Sequence, residues 1–496
     1  MARKHRELPL LTGVEITGIA AEGNAIAKVR LKETDPDPIV VFVPFAAPGD
    51  IANLKIDKKK HNFAEAHITD LLQPSALRVV PKCNYFGICG GCRWQHLPYD
   101  IQLEFKKQQV VDCLTRIAKV SFPEVNATLK ADAIWRYRNK MEYTFSNKRW
   151  RSWEEMKGEV PFNQCNDALG FHIPGCFDKV LHIDECFLQD SIGDRIRNFI
   201  FKFAIDREYA FYDIKQNKGL LRTLLVRKLI SGELMVCVTF GEDDKERIEE
   251  LLTAIRIEFP EINSLLYVVN KKLNDTITDL EVISFYGKDY VEETMGELKF
   301  RINVKSFYQT NSRQAFKLYE TVAKFAGVYG SQREKDCKPL VYDLYTGTGT
   351  IANFVAKGCR QVIGIEYVEE AIKDARINSA INKIENTVFY SGDMKDVLTE
   401  EFIEKHGRPD VLITDPPRAG MHENVVNAIM KAEPEVIVYV SCNPATQARD
   451  IALLDPKYEI THIQPVDMFP HTHHVENVVR LTLRNEVKDG SIHSSI

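Results

Sequence analysis

The chain has 496 residues, 44% of them hydrophobic and 27% charged, a balance that describes a soluble protein too long for one core. No apolar run approaches the roughly 20 residues of a membrane span, and Met1-Ala-Arg-Lys-His-Arg-Glu7 lacks the apolar segment of a secretory signal. The expectation is a cytoplasmic protein with no membrane partner and no obligate protein partner. The net charge of −5 is unevenly spread: residues 1–150 hold 23 Lys+Arg against 16 Asp+Glu, a balance of +7, and the remainder carries −12. A basic front and an acidic rear fit an RNA-gripping portion joined to a catalytic one. Eleven cysteines in a cytoplasmic chain direct attention to metal binding or catalysis before disulfides.

Residues 1–73 are read as a small barrel of the oligonucleotide-binding kind. Val14–Ile19, Ala25–Leu31, Ile39–Val43 and Ile51–Ile56 are short strands separated by turns such as Pro48-Gly49-Asp50. Lys58-Lys-Lys60 suits a phosphate-meeting loop, or equally a solvated charge run. Residues 74–300 give an α+β pattern. Tyr99–Ala118 follows helical spacing, and this helix is expected to pack on the catalytic domain. Leu220–Leu229, Leu234–Phe240 and Leu265–Asn270 are strands. Trp135-Arg-Tyr-Arg-Asn-Lys-Met-Glu-Tyr-Thr-Phe145 interleaves basic and aromatic residues at strand period, a pattern that can hold phosphates and stack bases or simply present a core face and a solvated face. Residues 301–486 alternate strands and helices, through Leu340–Tyr345, Gln361–Glu366, Asn386–Tyr390, Pro409–Thr414, Val436–Ser441 and Val478–Leu483. This predicts an α/β, doubly wound Rossmann-like domain. Residues 487–496 form a polar tail.

Cys83, Cys89 and Cys92 lie in a loop tightened by Gly87, Gly90 and Gly91. Three such thiols need a fourth ligand to complete a zinc site or hold an iron–sulfur cluster, and Cys113, Cys165, Cys176 and Cys186 are the candidates. The Cys-x3-Cys-x2-Cys spacing of radical enzymes is absent.

In the last third, Asp343-Leu-Tyr-Thr-Gly-Thr-Gly-Thr350 follows a strand and opens a helix, with Gly347 and Gly349 allowing close approach of the backbone to a ligand. Glu366 ends the next strand, 19 residues after Gly347, the spacing of a carboxylate that accepts from ribose hydroxyls. With no third glycine and no phosphate-loop Lys-Ser/Thr, a nucleoside without phosphates is the better ligand, and S-adenosylmethionine (SAM) is one. Ile413-Thr-Asp-Pro-Pro-Arg418 holds Asp415 at a rigid strand exit. Val436-Ile-Val-Tyr-Val-Ser-Cys442 ends a buried strand on a thiol, stopped by Asn443-Pro444. Alone, Cys442 reads equally well as a core thiol. Glu476 precedes the last strand, beside His471, His473 and His474, whose spacing argues against a metal site. A thiol and a carboxylate at neighbouring strand ends suffice to add to carbon 6 of a uracil and to remove the carbon-5 proton after methylation.

Together these residues resemble the RNA uracil-5-methyltransferase family from about residue 9 to 485. Ser441-Cys-Asn-Pro-Ala-Thr446 resembles its nucleophile motif, implying Cys442 as the attacking thiolate. Phe469-Pro-His-Thr-His-His-Val-Glu476 resembles its base motif, implying Glu476 as proton acceptor. Ser306-Phe-Tyr-Gln-Thr-Asn311 matches the segment whose glutamine contacts SAM, implying Gln309, with Tyr345, Gly347, Gly349, Glu366 and Asp415 completing the cofactor site. The front domain resembles the TRAM module. Cys83, Cys89 and Cys92 match the members that hold a [4Fe-4S] cluster, and Cys186, after a short apolar strand, matches their fourth ligand. Barrel plus cluster implies the branch acting on large-subunit (23S) ribosomal RNA. Transfer RNA as substrate, a non-catalytic RNA-binding factor and a cytosine-C5 enzyme are the rivals. Thr346, Thr350 and Asp393 depart from the Cys, Asn and Asn of some relatives, and Asn147–Asp167 is longer than usual.

Overall fold

A computed structural model describes residues 9–31, 37–158, 165–330, 334 and 337–484. The polar tail and part of the long 147–167 segment therefore lie outside the described residues. The chain divides into two compact units, neither contiguous: one holds the chain up to Lys106 with Lys130–Phe316 and Asp467–His474, the other Lys107–Leu129, Lys317–Val466 and Val475 onward. The sequence reading, by contrast, cuts the chain into consecutive segments.

In the first unit, six strands form a sheet in the order Leu10–Glu15, Ile51–Lys59, Phe63–Gln73, Ile39–Val43, Ala25–Val29, Gly18–Ile19. Alternate residues turn inward, so Ala25, Ala27, Val41, Val43, Ala52, Leu54, Ile56, Ala64 and Ala66 make one small-residue core. The long strand Phe63–Gln73 is the one the sequence reading lacks. Its inward positions begin with two alanines, too weakly apolar to signal a strand. Lys58 pairs with Glu65 at 3.4 Å, while Lys59 is exposed.

A second sheet of the same unit has seven strands, ordered Ile283–Gly287, Ser264–Val269, Leu234–Phe240, Leu221–Lys228, Lys140–Ser146, Ala168–Ile173, Cys176–His182. The helices Ser191–Asp206 and Lys245–Glu258 supply much of its core through Ile196, Ile200, Leu251, Leu252 and Ile255. The basic-aromatic stretch forms a strand only from Lys140. Before it, Arg136 has a left-handed φ of 53° and its guanidinium is consumed internally, by Cys186 O, Gln189 O, Asp194 and Glu185. Tyr143 and Phe145 are core residues.

Asp467–His474 is anchored in this unit by buried polar contacts. Lys106 Nζ meets Asp467 Oδ1 at 2.5 Å, with neither side chain exposed. Tyr99 OH donates to the other Asp467 oxygen at 2.8 Å, and Lys106 also donates to Phe469 O. The His471 ring stacks on Trp135 at 3.8 Å, its Nδ1 lies 3.2 Å from Gln102 Nε2, and its carbonyl accepts from Arg93 N and Trp94 N. Tyr137 OH donates to Pro470 O.

The second unit carries the predicted α/β sheet, with strands β1 (Leu340–Leu344), β2 (Gln361–Glu366), β3 (Thr387–Ser391), β4 (Val411–Thr414), β5 (Val436–Ser441), β6 (Tyr458–Val466) and β7 (Glu476–Leu483). Their order is β3-β2-β1-β4-β5-β7-β6, parallel through β5, with β7 antiparallel to both β5 and β6. Strand β6 escapes the sequence reading because it alternates polar residues at a sheet edge and contains Pro465. The chain builds outward from β1 to β3, then restarts at β4 on the other side of β1, which opens a crevice at the carboxyl ends of β1 and β4. The helix Tyr99–Cys113 contributes its second half to this unit, where Val110, Cys113 and Leu114 join the core with Ile437, Tyr439 and Ile451.

The buried Lys106–Asp467 pair gives a direct test. Asp467→Ala strands a buried ammonium and should cost about 3–5 kcal/mol in urea denaturation, whereas Lys107→Ala, on a partly exposed neighbour, should change stability little.

Candidate active site

The second unit gathers the chemistry at the strand ends. Cys442 follows β5 directly, Asp415 follows β4 directly, and Glu476 is the first residue of β7. The β5–β7 ladder pairs Ser441 with Asn477, so the next step sets Cys442 against Glu476. On the other side β5 runs parallel to β4, with Thr414 beside Tyr439, and Asp415 N donates to Leu344 O at the end of β1.

Local sequence explains the rigidity of this corner. Asn443 Oδ1 accepts from Ala445 N and caps the helix Pro444–Leu454, with Pro444 in its first turn, so the chain turns sharply after the thiol. Asn443 Nδ2 and Thr446 Oγ1 both donate to Arg418 O, holding the Asp-Pro-Pro-Arg loop beside Cys442. Buried Gln447 donates to Tyr439 O on β5 and Asn477 O on β7 while accepting from Asn477 Nδ2 at 2.8 Å. Asp450 accepts from Tyr439 OH and Met421 N, closing the loop from below.

The electrostatics are those of crowded acids. Burial pushes the Glu476 carboxyl up to about 8, with Asp415 adding to the rise and Arg418 opposing it. Burial pushes Asp415 up to about 7. Burial likewise raises Cys442 to about 11, helped by Glu476 and Asp415 and countered by the charge and hydrogen bond of Arg418. Burial therefore favours the thiol form of Cys442 in the ligand-free protein, and the attacking thiolate expected from the sequence needs a proton removed first. Arg418 is the cation of this corner, and the sequence reading gave it no role. Its signal was present, as the one basic residue in the rigid Asp-Pro-Pro-Arg turn.

The glycine loop lies in the same unit. Tyr345 takes a left-handed φ of 61°, an uncommon and strained conformation for a bulky residue. Gly349, with φ 75°, caps the helix Thr350–Val355, and a Cβ there would stand 2.9 Å from Ala375 Cβ and 3.1 Å from Phe389 Cζ, so no other residue fits without movement. Glu366 Oε2 accepts from Gly347 N at 3.1 Å and Oε1 from Val368 N, which fixes the carboxylate over the loop. Asp343 is fully buried, accepts from Thr346 Oγ1 at 2.5 Å, and is raised to about 7 by burial. Gln309 belongs to the first unit, buried, with its carbonyl accepting from Asn139 Nδ2.

Cys83, Cys89, Cys92 and Cys186 also belong to the first unit. Among the described residues no three His, Cys, Asp or Glu side chains stand in metal-holding geometry. The four thiols are nevertheless mutually close. Burial pushes Cys92 to about 12, and negative charge on Cys89, Cys186 or Cys83 raises it further; burial also raises Cys83 and Cys186. Cys92 and Cys186 pack in an apolar cluster with Phe86, Trp135, Tyr137, Leu188 and Phe469. Gly90 passes so near Pro174 that a Cβ would meet its ring at 2.3 Å. Cys113 lies in the other unit, and Cys165 sits against Asp167. The donor set is chemically suited to an iron–sulfur cluster: four soft thiols in a low-dielectric pocket, whose mutual repulsion as thiolates a bound cation relieves.

The sequence pattern of the tRNA (uracil-5-)-methyltransferase family matches residues 276–484, and that of the TRAM domain matches residues 13–69. An uncharacterized RNA methyltransferase of Bacteroides thetaiotaomicron is 54% identical over 469 residues, covering 94% of this chain and 100% of its own. Another, from Porphyromonas gingivalis, is 55% identical over 480 residues, covering 95% and 100%. Among solved structures, Pyrococcus abyssi tRNA (uracil-54, C5)-methyltransferase in complex with S-adenosyl-L-homocysteine superposes with a TM-score of 0.71 at 28% identity, over 95% of this chain and all of that one.

The raised carboxyls predict a pH dependence. A carboxyl whose folded pKa lies above its unfolded value stabilises fully below that unfolded value, near 4, and loses this contribution as pH rises through the folded value. Glu476, Asp415 and Asp343 lose it progressively as pH rises from about 4, with the loss complete above pH 7 to 8. The ligand-free thermal midpoint should fall between pH 6 and pH 9, and Asp415→Asn should flatten the decline.

Proposed function

The chain belongs to the RNA uracil-5-methyltransferase family and carries a TRAM domain, and from that footing we propose that it makes 5-methyluridine in large-subunit ribosomal RNA, in the cytoplasm, with Cys442 as nucleophile and Glu476 as base. The observation that carries this reading is the β5–β7 register, whose last pair, Ser441 with Asn477, leaves Cys442 and Glu476 as adjacent residues at the ladder's end, close enough for the Glu476 charge to raise Cys442.

Bound SAM supplies an electrophilic methyl group. Gln309, Tyr345, Gly347, Gly349, Glu366 and Asp415 are its binding residues in this reading, with Glu366 placed for the ribose hydroxyls. Cys442 gives up its proton and bonds to carbon 6 of the uracil, and the ring's electrons move onto the carbonyl as an enolate. Arg418 favours the thiolate needed for that step. Once carbon 5 carries the methyl group, Glu476 takes the remaining carbon-5 proton. The released pair restores the ring double bond and expels Cys442 as thiolate. A base whose pKa lies near 8 suits this exchange, because it both accepts and returns a proton near neutral pH.

In the same reading Cys83, Cys89, Cys92 and Cys186 hold a [4Fe-4S] cluster. The electrostatic influence of Cys186 on Cys83 and Cys92 supports it as the fourth ligand. A cluster there supplies cross-links between distant chain segments.

Transfer RNA is the second reading, and one observation favours it. The Pyrococcus enzyme, which acts on tRNA, matches 95% of this chain, so overall architecture alone does not select ribosomal RNA. Transcripts of both RNAs incubated with labelled SAM separate the two; methylation of tRNA alone would overturn the ribosomal assignment. Cys442→Ala should abolish transfer. Glu476→Gln should accumulate a covalent protein–RNA adduct on denaturing gels, whereas freely released product would remove Glu476 from its role. Cys186→Ser should lose bound iron and visible absorbance, and retained iron would point to another fourth ligand.

A further inference from the structure

The segment that carries Gln309 has no secondary structure of its own. Ser306–Asn311 lies between the strand Leu298–Asn303 and the helix Ser312–Phe325, so its peptide groups must be satisfied, and its course set, by other parts of the chain. One residue supplies much of this. Asn139, just before the strand Lys140–Ser146, donates from its side-chain amide to Gln309 O at 3.0 Å and Ser312 Oγ at 2.8 Å, and from its backbone to Thr310 O at 2.7 Å. The Asn139 carbonyl accepts from Lys228 N on the neighbouring strand, so the donor itself is held.

The chain of bonds continues inward. Ser312 Oγ donates to Glu293 Oε2 at 2.7 Å, and the fully buried Glu293 carboxylate also accepts from Ile230 N, Ser231 N and Thr294 N. Arg227, buried on the strand Leu221–Lys228, points Nη2 at Ser306 O from 3.5 Å. Asn139, Ser312, Glu293 and Gln309 are each no more than 8% exposed. Asn139 Oδ1 and Arg227 Nε and Nη1 have no partner among the described residues, so the bonds that are made from Asn139, Ser312 and Glu293 are the ones that hold this segment in one conformation.

We propose that Asn139 is a positioning residue for the methyl transfer: backed by Ser312 and Glu293, it fixes the Gln309 peptide in the orientation from which Gln309 meets the cofactor. This rests on the reading of Gln309 as a SAM contact. Asn139 itself touches neither cofactor nor RNA. Its contribution is to hold in advance a contact that otherwise must be ordered on binding.

The test is a double-mutant cycle on the full chain, measured as S-adenosylhomocysteine affinity by calorimetry. Asn139→Asp keeps the shape but cannot donate to Gln309 O. It should weaken binding about tenfold, the loss of roughly one hydrogen bond to an ordered contact. It should also raise the KM for SAM with little change in kcat. Gln309→Ala should weaken binding at least as much, and the double variant should be no weaker than Gln309→Ala alone. Ile248→Val, a conservative change in the core of the same unit, should keep full affinity, which separates positioning from general destabilisation. Unchanged affinity in Asn139→Asp, or strictly additive losses in the double variant, overturns the proposal while leaving Gln309 in place. Full affinity in Gln309→Ala overturns the reading of Gln309 and the proposal with it.

Discussion

Negative charge is crowded where the catalytic sheet ends, and most of the second unit can be understood as managing it. Strand register brings Cys442, Asp415 and Glu476 to one corner, where burial raises all three, Asp415 raises Glu476 further, and both carboxyls raise Cys442. Two like charges a few ångströms apart repel by on the order of 4 kcal/mol at a protein-like dielectric. The corner therefore cannot rest with all three groups ionised. It holds protons instead, and the proposed chemistry moves them between a thiol, a carboxyl and the substrate ring. Arg418 is the one counterweight, which fits a turn too stiff to let its backbone wander.

That crowding explains the cost accepted in the surrounding scaffold. Burying Gln447, Asn477, Asp450 and Tyr439 is unfavourable unless each polar atom finds a partner. Gln447 spans β5 and β7 with three hydrogen bonds, and Asp450 ties the end of the Asp-Pro-Pro-Arg loop to the middle of β5. Such bonds add little net stability and much specificity. They remove the sliding freedom of an antiparallel pair, in which a slip of one residue would turn the Glu476 side chain to the opposite face.

What could be read from the chain depended on how local the determining physics was. Cys442 was legible because an apolar β-branched run, a thiol and Asn-Pro follow one another within the nine residues Val436–Pro444. Glu366 was legible from its distance to the glycine loop. The β1–β4–β5 pairing that flanks Asp415 was not, since register is a long-range property. Arg136 illustrates the opposite failure: a strand-like alternation in sequence breaks in the structure, because one guanidinium finds four acceptors only by adopting a left-handed backbone. Phe63–Gln73 and Tyr458–Val466 were missed for a compositional reason, one built on alanine and the other interrupted by proline at an edge. The fourth thiol was left open by spacing, because the distance from Cys92 to Cys186 along the chain says nothing of their distance in space.

The segment Asp467–His474 shows how a motif that reads as chemistry can be mostly architecture. Three histidines suggest a metal, yet His471 is stacked on Trp135 and bonded to Gln102, with its backbone at a left-handed φ of 66°. Burial holds its ring neutral, well below the usual imidazole range at about 4, which suits a packing role and removes it as an acid at neutral pH. Asp467 is spent on Lys106 and Tyr99, and the carbonyls of Met468, Phe469, Pro470 and His471 are all claimed by side chains or backbone groups of the first unit. From Met468 to His471 the segment is thus held carbonyl by carbonyl within the first unit. The proton transfer proposed for this site needs only one acid from the whole motif, Glu476.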